Sequence, residues 1–208
     1  MGIVYYDKSG EFHIFNDEIS YIITILANGH LGQLYFGKRL TDRESFGHLL
    51  ELAYRDMSPC AFEGNHEFSM ENIKQEYPAY CAGDSRYPAF MIEDAKGSLI
   101  SDFIYKEHVI YEGKPKLQGL PSTYVEDPSE AVTLEITLED ELIKTQMVLT
   151  YTIYNDLPVI TRNARFICNN PQGITLKSAM SLNLDLPDCD YEMIDLSGAW
   201  GRERSVNI

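Results

Sequence analysis

From Ala131 onward the chain alternates apolar and polar residues with a period of two, and that period limits its fold more than anything else in the sequence. Leu134, Ile136 and Leu138 stand on one side, while Glu135, Thr137 and Glu139 stand on the other. Leu149, Tyr151 and Ile153 repeat the pattern. Ile160, Ala164, Phe166 and Cys168 follow it too, with Arg162 interrupting. Residues 176–186 close the series, with Met180, Leu182, Leu184 and Leu186 set against Lys177, Asn183 and Asp185. A helix would space its apolar residues three and four apart; strict alternation calls for strands. Polar outer faces mean antiparallel sheets with one face wet, and many such strands with short turns make a sandwich or barrel.

The first part of the chain supports the same class. Residues 11–16 and 20–26 read as strands, and Asn28-Gly29 is a hairpin signal because both positions accept positive φ. Residues 30–37 then return along the sheet, and residues 38–42 leave it. Between 41 and 54 the pattern changes. Phe46, Leu49, Leu50, Ala53 and Tyr54 follow helical spacing, and Thr41 with Glu44 resembles a capping box, so a short helix is expected there. Ser58-Pro59 marks a turn, and residues 69–75 read as one or two helical turns capped by Ser69. Residues 88–94 form a further strand, residues 94–97 a turn, and residues 99–112 one or two strands. Gly113-Lys114-Pro115 and Gly119-Leu120-Pro121 are breaks. With no fixed repeat and no low-complexity linker, the expected architecture is all-β. It is one large antiparallel β-sandwich, with residues 41–86 as a loop and short-helix excursion.

Composition narrows the function classes. Fourteen Tyr and nine Phe favour strands, and 44% hydrophobic residues suffice for a sizeable core. A net charge of −15 argues against nucleic acid or an anionic membrane as partner, since both require a basic surface. A neutral partner or substrate fits better. Cys60, Cys81, Cys168 and Cys189 show no paired or metal-ligand spacing and read as free thiols of a reducing cytoplasm. The N-terminus has no basic and apolar leader pattern, and no run approaches the ~18 apolar residues of a membrane span. Gly2 would suit myristoylation, but Tyr6 stands where Ser or Thr is required.

Residue by residue, no catalytic machine is recognisable. Asp185, Asp188 and Asp190 cluster beside Cys189, and Glu139, Asp140 and Glu141 form another acidic group. Glycoside hydrolysis needs two carboxyl groups roughly 5–9 Å apart across a pocket. Both clusters read instead as solvated strand ends or turns. His13, His30, His48, His66 and His108 lack metal-site spacing, and there is no nucleophile elbow, phosphate loop or dinucleotide fingerprint. No cofactor is implied.

The unusual run is residues 75–86, Gln-Glu-Tyr-Pro-Ala-Tyr-Cys-Ala-Gly-Asp-Ser-Arg, which reads as a shaped loop. Within it Glu76, Asp84 and Arg86 are candidates for a buried charged network. Tyr77, Tyr80 and Tyr87 are placed either to stack on sugar rings or to fill a sheet edge. Trp200, the sole Trp, is a candidate anchor where the chain leaves the sandwich.

Several runs, in order and spacing, carry a resemblance. They are Ser20-Tyr21-Ile22 with Leu34-Tyr35-Phe36-Gly37-Lys38, and Gln75-Glu76-Tyr77-Pro78-Ala79-Tyr80 with Gly83-Asp84 and Arg86-Tyr87-Pro88-Ala89. Gly113-Lys114-Pro115 with Gly119-Leu120-Pro121-Ser122-Thr123-Tyr124-Val125 and Glu130-Ala131 follows, then Ile160-Thr161-Arg162 and the 198–204 segment. Together they resemble the N-terminal domain of glycoside hydrolase family 36, the α-galactosidases, over residues 3–204. The resemblance implies a β-supersandwich over residues 1–204, with 205–208 beginning the link to a (β/α)8 barrel. That barrel carries both catalytic aspartates of a retaining hydrolase acting on melibiose- or raffinose-type α-galactosides. This chain is then expected to contain no catalytic residue and to be inactive alone.

The resemblance further implies a homo-oligomer, which the cysteine pattern places in the cytoplasm and which is a tetramer in the parent enzyme. There the loop before Arg55-Asp56-Met57-Ser58-Pro59 reaches a neighbour's active site. Some members place an acidic residue before the Arg and an aromatic four residues earlier. Here those positions are Tyr54 and Leu50, so Leu50, Tyr54 and Arg55 are the candidate substrate-binding residues, with Tyr54 stacking or hydrogen-bonding. Two other positions depart from the family pattern: Cys81 where Gly is usual and Ser85 where Phe is usual. A Cβ at Cys81 is costly if that position needs positive φ. A stand-alone carbohydrate-binding module and a purely structural interaction domain are the other readings.

Overall fold

The computed structural model describes residues 2–57, 61–119 and 121–208. The turn expected at Ser58-Pro59, the thiol of Cys60 and the break at Leu120 lie outside the described residues. The first sheet is a four-stranded antiparallel meander of β1 (Gly2–Tyr6), β2 (Glu11–Phe15), β3 (Ile19–Ile25) and β4 (Leu31–Lys38). The small hairpin β5 (Ala61–Phe62) and β6 (Asn65–Ser69) follows, then β7 (Phe90–Asp94). A second antiparallel sheet holds β8 (Ile104–Glu112), β9 (Ala131–Asp140), β10 (Thr145–Tyr154) and β11 (Ile160–Cys168), in the order β11-β10-β9-β8. β12 (Ile174–Ala179) returns to pair with β7, and β13 (Asp195–Ala199) pairs with β14 (Arg202–Asn207) through a ladder that shifts register opposite Arg204, whose φ is +61°.

The two large sheets share one apolar core. Phe12, Ile14, Tyr21 and Ile23 from the first sheet join Leu134, Ile136, Leu138, Leu149, Tyr151 and Ile153 from the second. The alternation read from β9 is thus met: its Leu and Ile side chains are buried, while Glu135, Thr137 and Glu139 lie on the other face. At about 1.5–3 kcal/mol for each fully buried large apolar side chain, this cluster dominates the stability. The hairpin at Asn28-Gly29 forms as expected, with Gly29 at φ +83° joining β3 to β4.

The excursion folds differently from the expected helix. Residues 41–54 contain one 3-10 turn, Gly47–Leu49, and there is no α-helix among the described residues. The spacing of Phe46, Leu49 and Leu50 serves a clamp instead: Phe46 is buried against Ile22 and Leu34 on the outer face of the first sheet. The Phe46 N–H donates to the Glu11 carboxylate at 2.7 Å, and the Ser45 hydroxyl does so at 2.8 Å. Those tertiary bonds replace helix nucleation, which is costly over so short a run. Residues 69–75 make a single turn, in which the Asn72 and Ile73 N–H groups donate to the Ser69 carbonyl.

The strand expected over 176–186 begins two residues earlier and stops at Ala179. Its partner β7 begins at Phe90, so the pairing runs out, and Met180 donates its N–H to the Ala89 carbonyl as the last contact of the ladder. Beyond it Met180, Leu182 and Leu186 are exposed, and of the four residues expected on the inner face Leu184 alone packs against the core. Trp200 is wholly exposed between β13 and β14 and anchors nothing among the described residues.

Candidate functional site

Residues 75–86 close on themselves before they touch anything else. The Gln75 side-chain amide donates to the carbonyls of Met70 and Gly83, each at 3.0 Å. Gly83 is demanded by close approach, since a Cβ there would lie 2.7 Å from the Ala79 carbonyl oxygen. That same oxygen accepts from the Asp84 N–H at 2.9 Å. Tyr77 stacks on Phe90 and donates its hydroxyl to the Met180 carbonyl, so it fills the interior. Tyr87 is 80% exposed. Cys81 sits at φ +70°, a left-handed position where a Cβ is costly.

Glu76 turns inward and has no exposed surface. Its carboxylate accepts from the hydroxyls of Tyr21 and Tyr151 and from Arg162, the last two at 2.6 Å. Arg162 also donates to the Asn183 carbonyl at 2.7 Å. Burial pushes the Glu76 carboxyl above its usual range, although Arg162 and the two tyrosines oppose the shift. Arg162 is shifted upward as well: burial opposes its charge, and Glu76 outweighs that effect. The expected network with Asp84 and Arg86 does not form. The turn that ties Asp84 to Ala79 carries both outward, where they meet each other at 3.5 Å. Arg162 was the overlooked partner; its break in the β11 alternation was the signal that a buried counter-charge existed. Glu76, wholly buried, thus ties β3, β10 and β11 to the loop.

A second cluster has the outline of a nucleophile, base and orienting acid. The Ser20 hydroxyl lies 2.8 Å from His13 Nε2, and His13 Nδ1 lies 2.9 Å from the Asp42 carboxylate. Ser20 and His13 are fully buried, and the Ser20 oxygen accepts the Leu40 N–H at 2.9 Å. No substrate can reach that hydroxyl, so the cluster pins residues 39–42 to the sheet. The acidic groups resolve similarly. Asp140 accepts the N–H groups of Asp102, Leu142 and Ile143, and Glu139 pairs with Lys106. No group of three or more metal-ligating side chains converges among the described residues.

Of the three candidate substrate-binding residues, Leu50 is half-buried against Leu26, Phe68, Met70 and Ile73. Tyr54 is 64% exposed, with its ring 6.0 Å from that of His66. Arg55 donates its N–H to the His66 carbonyl at 3.2 Å and meets the Glu71 carboxylate at 3.3 Å. Tyr54 and Arg55 therefore present outward from the β6 hairpin, while Leu50 supports the loop from beneath.

Comparison with known proteins gives a consistent result. The glycosyl hydrolase family 36 N-terminal domain model matches residues 29–208. The chain is 41% identical over 206 residues to α-galactosidase AgaA of Geobacillus stearothermophilus, covering 99% of this chain and 28% of that protein. It is 34% identical to α-galactosidase Mel36A of Lactobacillus acidophilus, covering 96% and 27%. Among solved structures, α-galactosidase AgaB of G. stearothermophilus superposes with a TM-score of 0.89 at 41% identity, over 100% of this chain and 28% of that one. The α-galactosidase of Lactobacillus brevis superposes at 0.92 with 34% identity, over 98% and 28%. An AgaA variant solved with raffinose superposes at 0.87 with 42% identity, over 95% and 27%. The chain spans little more than a quarter of the length of these relatives.

Proposed function

Since the chain belongs to the glycosyl hydrolase family 36 N-terminal domain family, we propose that it serves as the non-catalytic N-terminal domain of an α-galactosidase, packed beside a (β/α)8 barrel of the same parent protein. The observation that carries this reading is the apolar surface of residues 176–206. Leu176, Met180, Leu182, Ile194, Leu196 and Val206 are all at least 43% exposed. A stable monomer rarely leaves so much apolar area in water, and further polypeptide of the parent chain is the cover proposed. The substrate class proposed for the parent is the α-galactosides of the melibiose and raffinose type. The assembly proposed is a cytoplasmic homo-oligomer, in which Tyr54 and Arg55, held up by Leu50, border a neighbour's sugar site. The boundaries proposed are residues 1–204 for the domain and 205–208 for the start of the link.

The test is hydrolysis of an aryl α-galactoside. The chain alone is expected to be inactive, and the same domain joined to its barrel active. In the joined enzyme Tyr54→Ala is expected to raise KM about tenfold, the loss of one substrate contact of roughly 1.4 kcal/mol. Turnover by the chain alone would sink the non-catalytic reading, and an unchanged KM would remove Tyr54 from the sugar site.

A further inference from the structure

We propose that residues 40–44 form an acid-released flap over the outer face of the first sheet, latched shut at His13 on β2. The flap hangs between two fixed points. At one end the Arg39 N–H donates to the Glu18 carbonyl at 2.8 Å. At the other the Glu11 carboxylate accepts the Ser45 hydroxyl and the Phe46 N–H, and Phe46 is buried. Between them residues 41–44 are exposed, and no backbone-to-backbone hydrogen bond ties residues 40–44 to the sheet among the described residues. Side chains hold them instead. The Ser20 oxygen accepts the Leu40 N–H at 2.9 Å, and the Asp42 carboxylate lies 2.9 Å from His13 Nδ1 and 3.0 Å from Arg39.

The latch closes on a neutral imidazole. His13 Nδ1 faces a carboxylate and so carries the ring proton, which leaves Nε2 bare as an acceptor. Ser20 then accepts from Leu40 and donates its own proton to Nε2, 2.8 Å away. Each contact from Leu40 through Ser20 and His13 to Asp42 thus has one proton. A second proton on the ring disrupts that chain. It would point at the Ser20 oxygen, whose hydroxyl proton would then lack an acceptor at a fully buried position. One guanidinium nitrogen of Arg39 already lies 3.4 Å from the same Nε2.

The charges around the ring act in the same sense. Arg39 opposes an imidazolium and also occupies the Phe15 face, 3.9 Å away, on which a second cation could rest. Asp42 favours the imidazolium, but its side chain is half in water and shared with Arg39, so its pull is screened. Farther out stand Glu11, engaged by Ser45 and Phe46, and Tyr6 on β1, whose hydroxyl donates to Asp42 at 3.4 Å. Arg43 lies beside His48 and over the Phe46 ring. From β3 only the uncharged Ser20 and Ile22 meet His13. Burial and Arg39 together prevail and hold the His13 ring below its usual range. Opening bares His13 and Ser20 to water, where the ring takes its proton at the ordinary value. Acid therefore favours the open form from pH 6.5 downward, until the closed form is protonated as well.

The test is native-state hydrogen exchange of the ¹⁵N-labelled chain, corrected for intrinsic exchange, from about pH 7.5 to about pH 4.5. Opening at the Leu40 amide should rise by up to about tenfold per pH unit below 6.5, the limit for one proton. Its denaturant slope should be near zero, as for a local motion, whereas the Tyr151 amide in β10 should open only with the steep slope of global unfolding. The Phe46 amide, held by Glu11, should stay protected. His13→Gln, which keeps a nitrogen near Ser20 without a titrating group, should abolish the pH dependence. Arg39→Gln, which keeps the ring and removes the cation facing it, should reduce it. The proposal is overturned by Leu40 opening that does not change with pH, by a Leu40 slope as steep as that of Tyr151, or by a pH dependence that His13→Gln leaves intact. Where that variant fails to fold, an undiminished dependence in Arg39→Gln decides against the latch.

Discussion

Cys81 holds a left-handed conformation at φ +70° while its side chain is exposed. Glycine adopts this region without the Cβ clash but gives up more chain entropy, so the net gain from replacing Cys is modest. Cys81→Gly is expected to stabilise the chain by about 0.5–1 kcal/mol, read as a rise of roughly 2 °C in Tm. A fall in Tm would mean that the thiol does more than occupy the turn. His13 supplies the pH-dependent counterpart. Burial and the Arg39 guanidinium lower its pKa below 6.5, against the pull of Asp42. The unfolded chain therefore binds a proton that the folded one refuses, and this part of the stability is present above pH 6.5 and lost as pH falls toward the lowered value. His13→Gln should flatten the Tm-versus-pH curve over that window, and an unaltered slope would assign the acid sensitivity elsewhere.

Among the elements, the segment after β12 shows how side chains take over when a ladder ends. Gln33 on β4 presents its amide oxygen to the Asp185 N–H at 3.0 Å and its amide nitrogen to the Asp185 carbonyl at 2.9 Å, imitating a strand partner. Gln33→Ala should speed hydrogen exchange at Asp185 by about tenfold and cost about 1–2 kcal/mol, the worth of two hydrogen bonds. Unchanged exchange would show that the segment is held by Asn183 and Arg162 alone. This same segment marks the limit of what alternation can say. In β9 each apolar residue has a facing partner in the core, so period two and burial coincide. Over residues 180–186 the same period persists with no partner strand, and the sequence carries no local sign of that. The helix expected over 41–54 failed for a related reason: its apolar spacing was real, but Glu11, far away in sequence, claims the N–H of Phe46. At the candidate site the loop over 75–86 was recognisable from its composition. Its actual partners, Arg162, Asn183 and Asp185, are contributed by strands and turns about a hundred residues later, and only the folded chain brings them together.

Taken whole, the molecule has two unlike ends. The two sheets pack around one apolar core that includes Phe12, Phe90, Leu134 and Tyr151. Residues 176–208 run over its outside with their apolar side chains largely in water. Burial of that surface, at about 25 cal/mol per Å², is the main driving force available for docking to a larger assembly, and a net charge of −15 opposes indiscriminate self-association in its absence. Trp200 lies at the tip of this end, fully exposed and the only tryptophan in the chain. The molecule therefore carries its own optical probe. Indole emission reports solely on the β13–β14 hairpin, moving to the blue when polypeptide covers that tip, so docking at this end can be followed by fluorescence without a label.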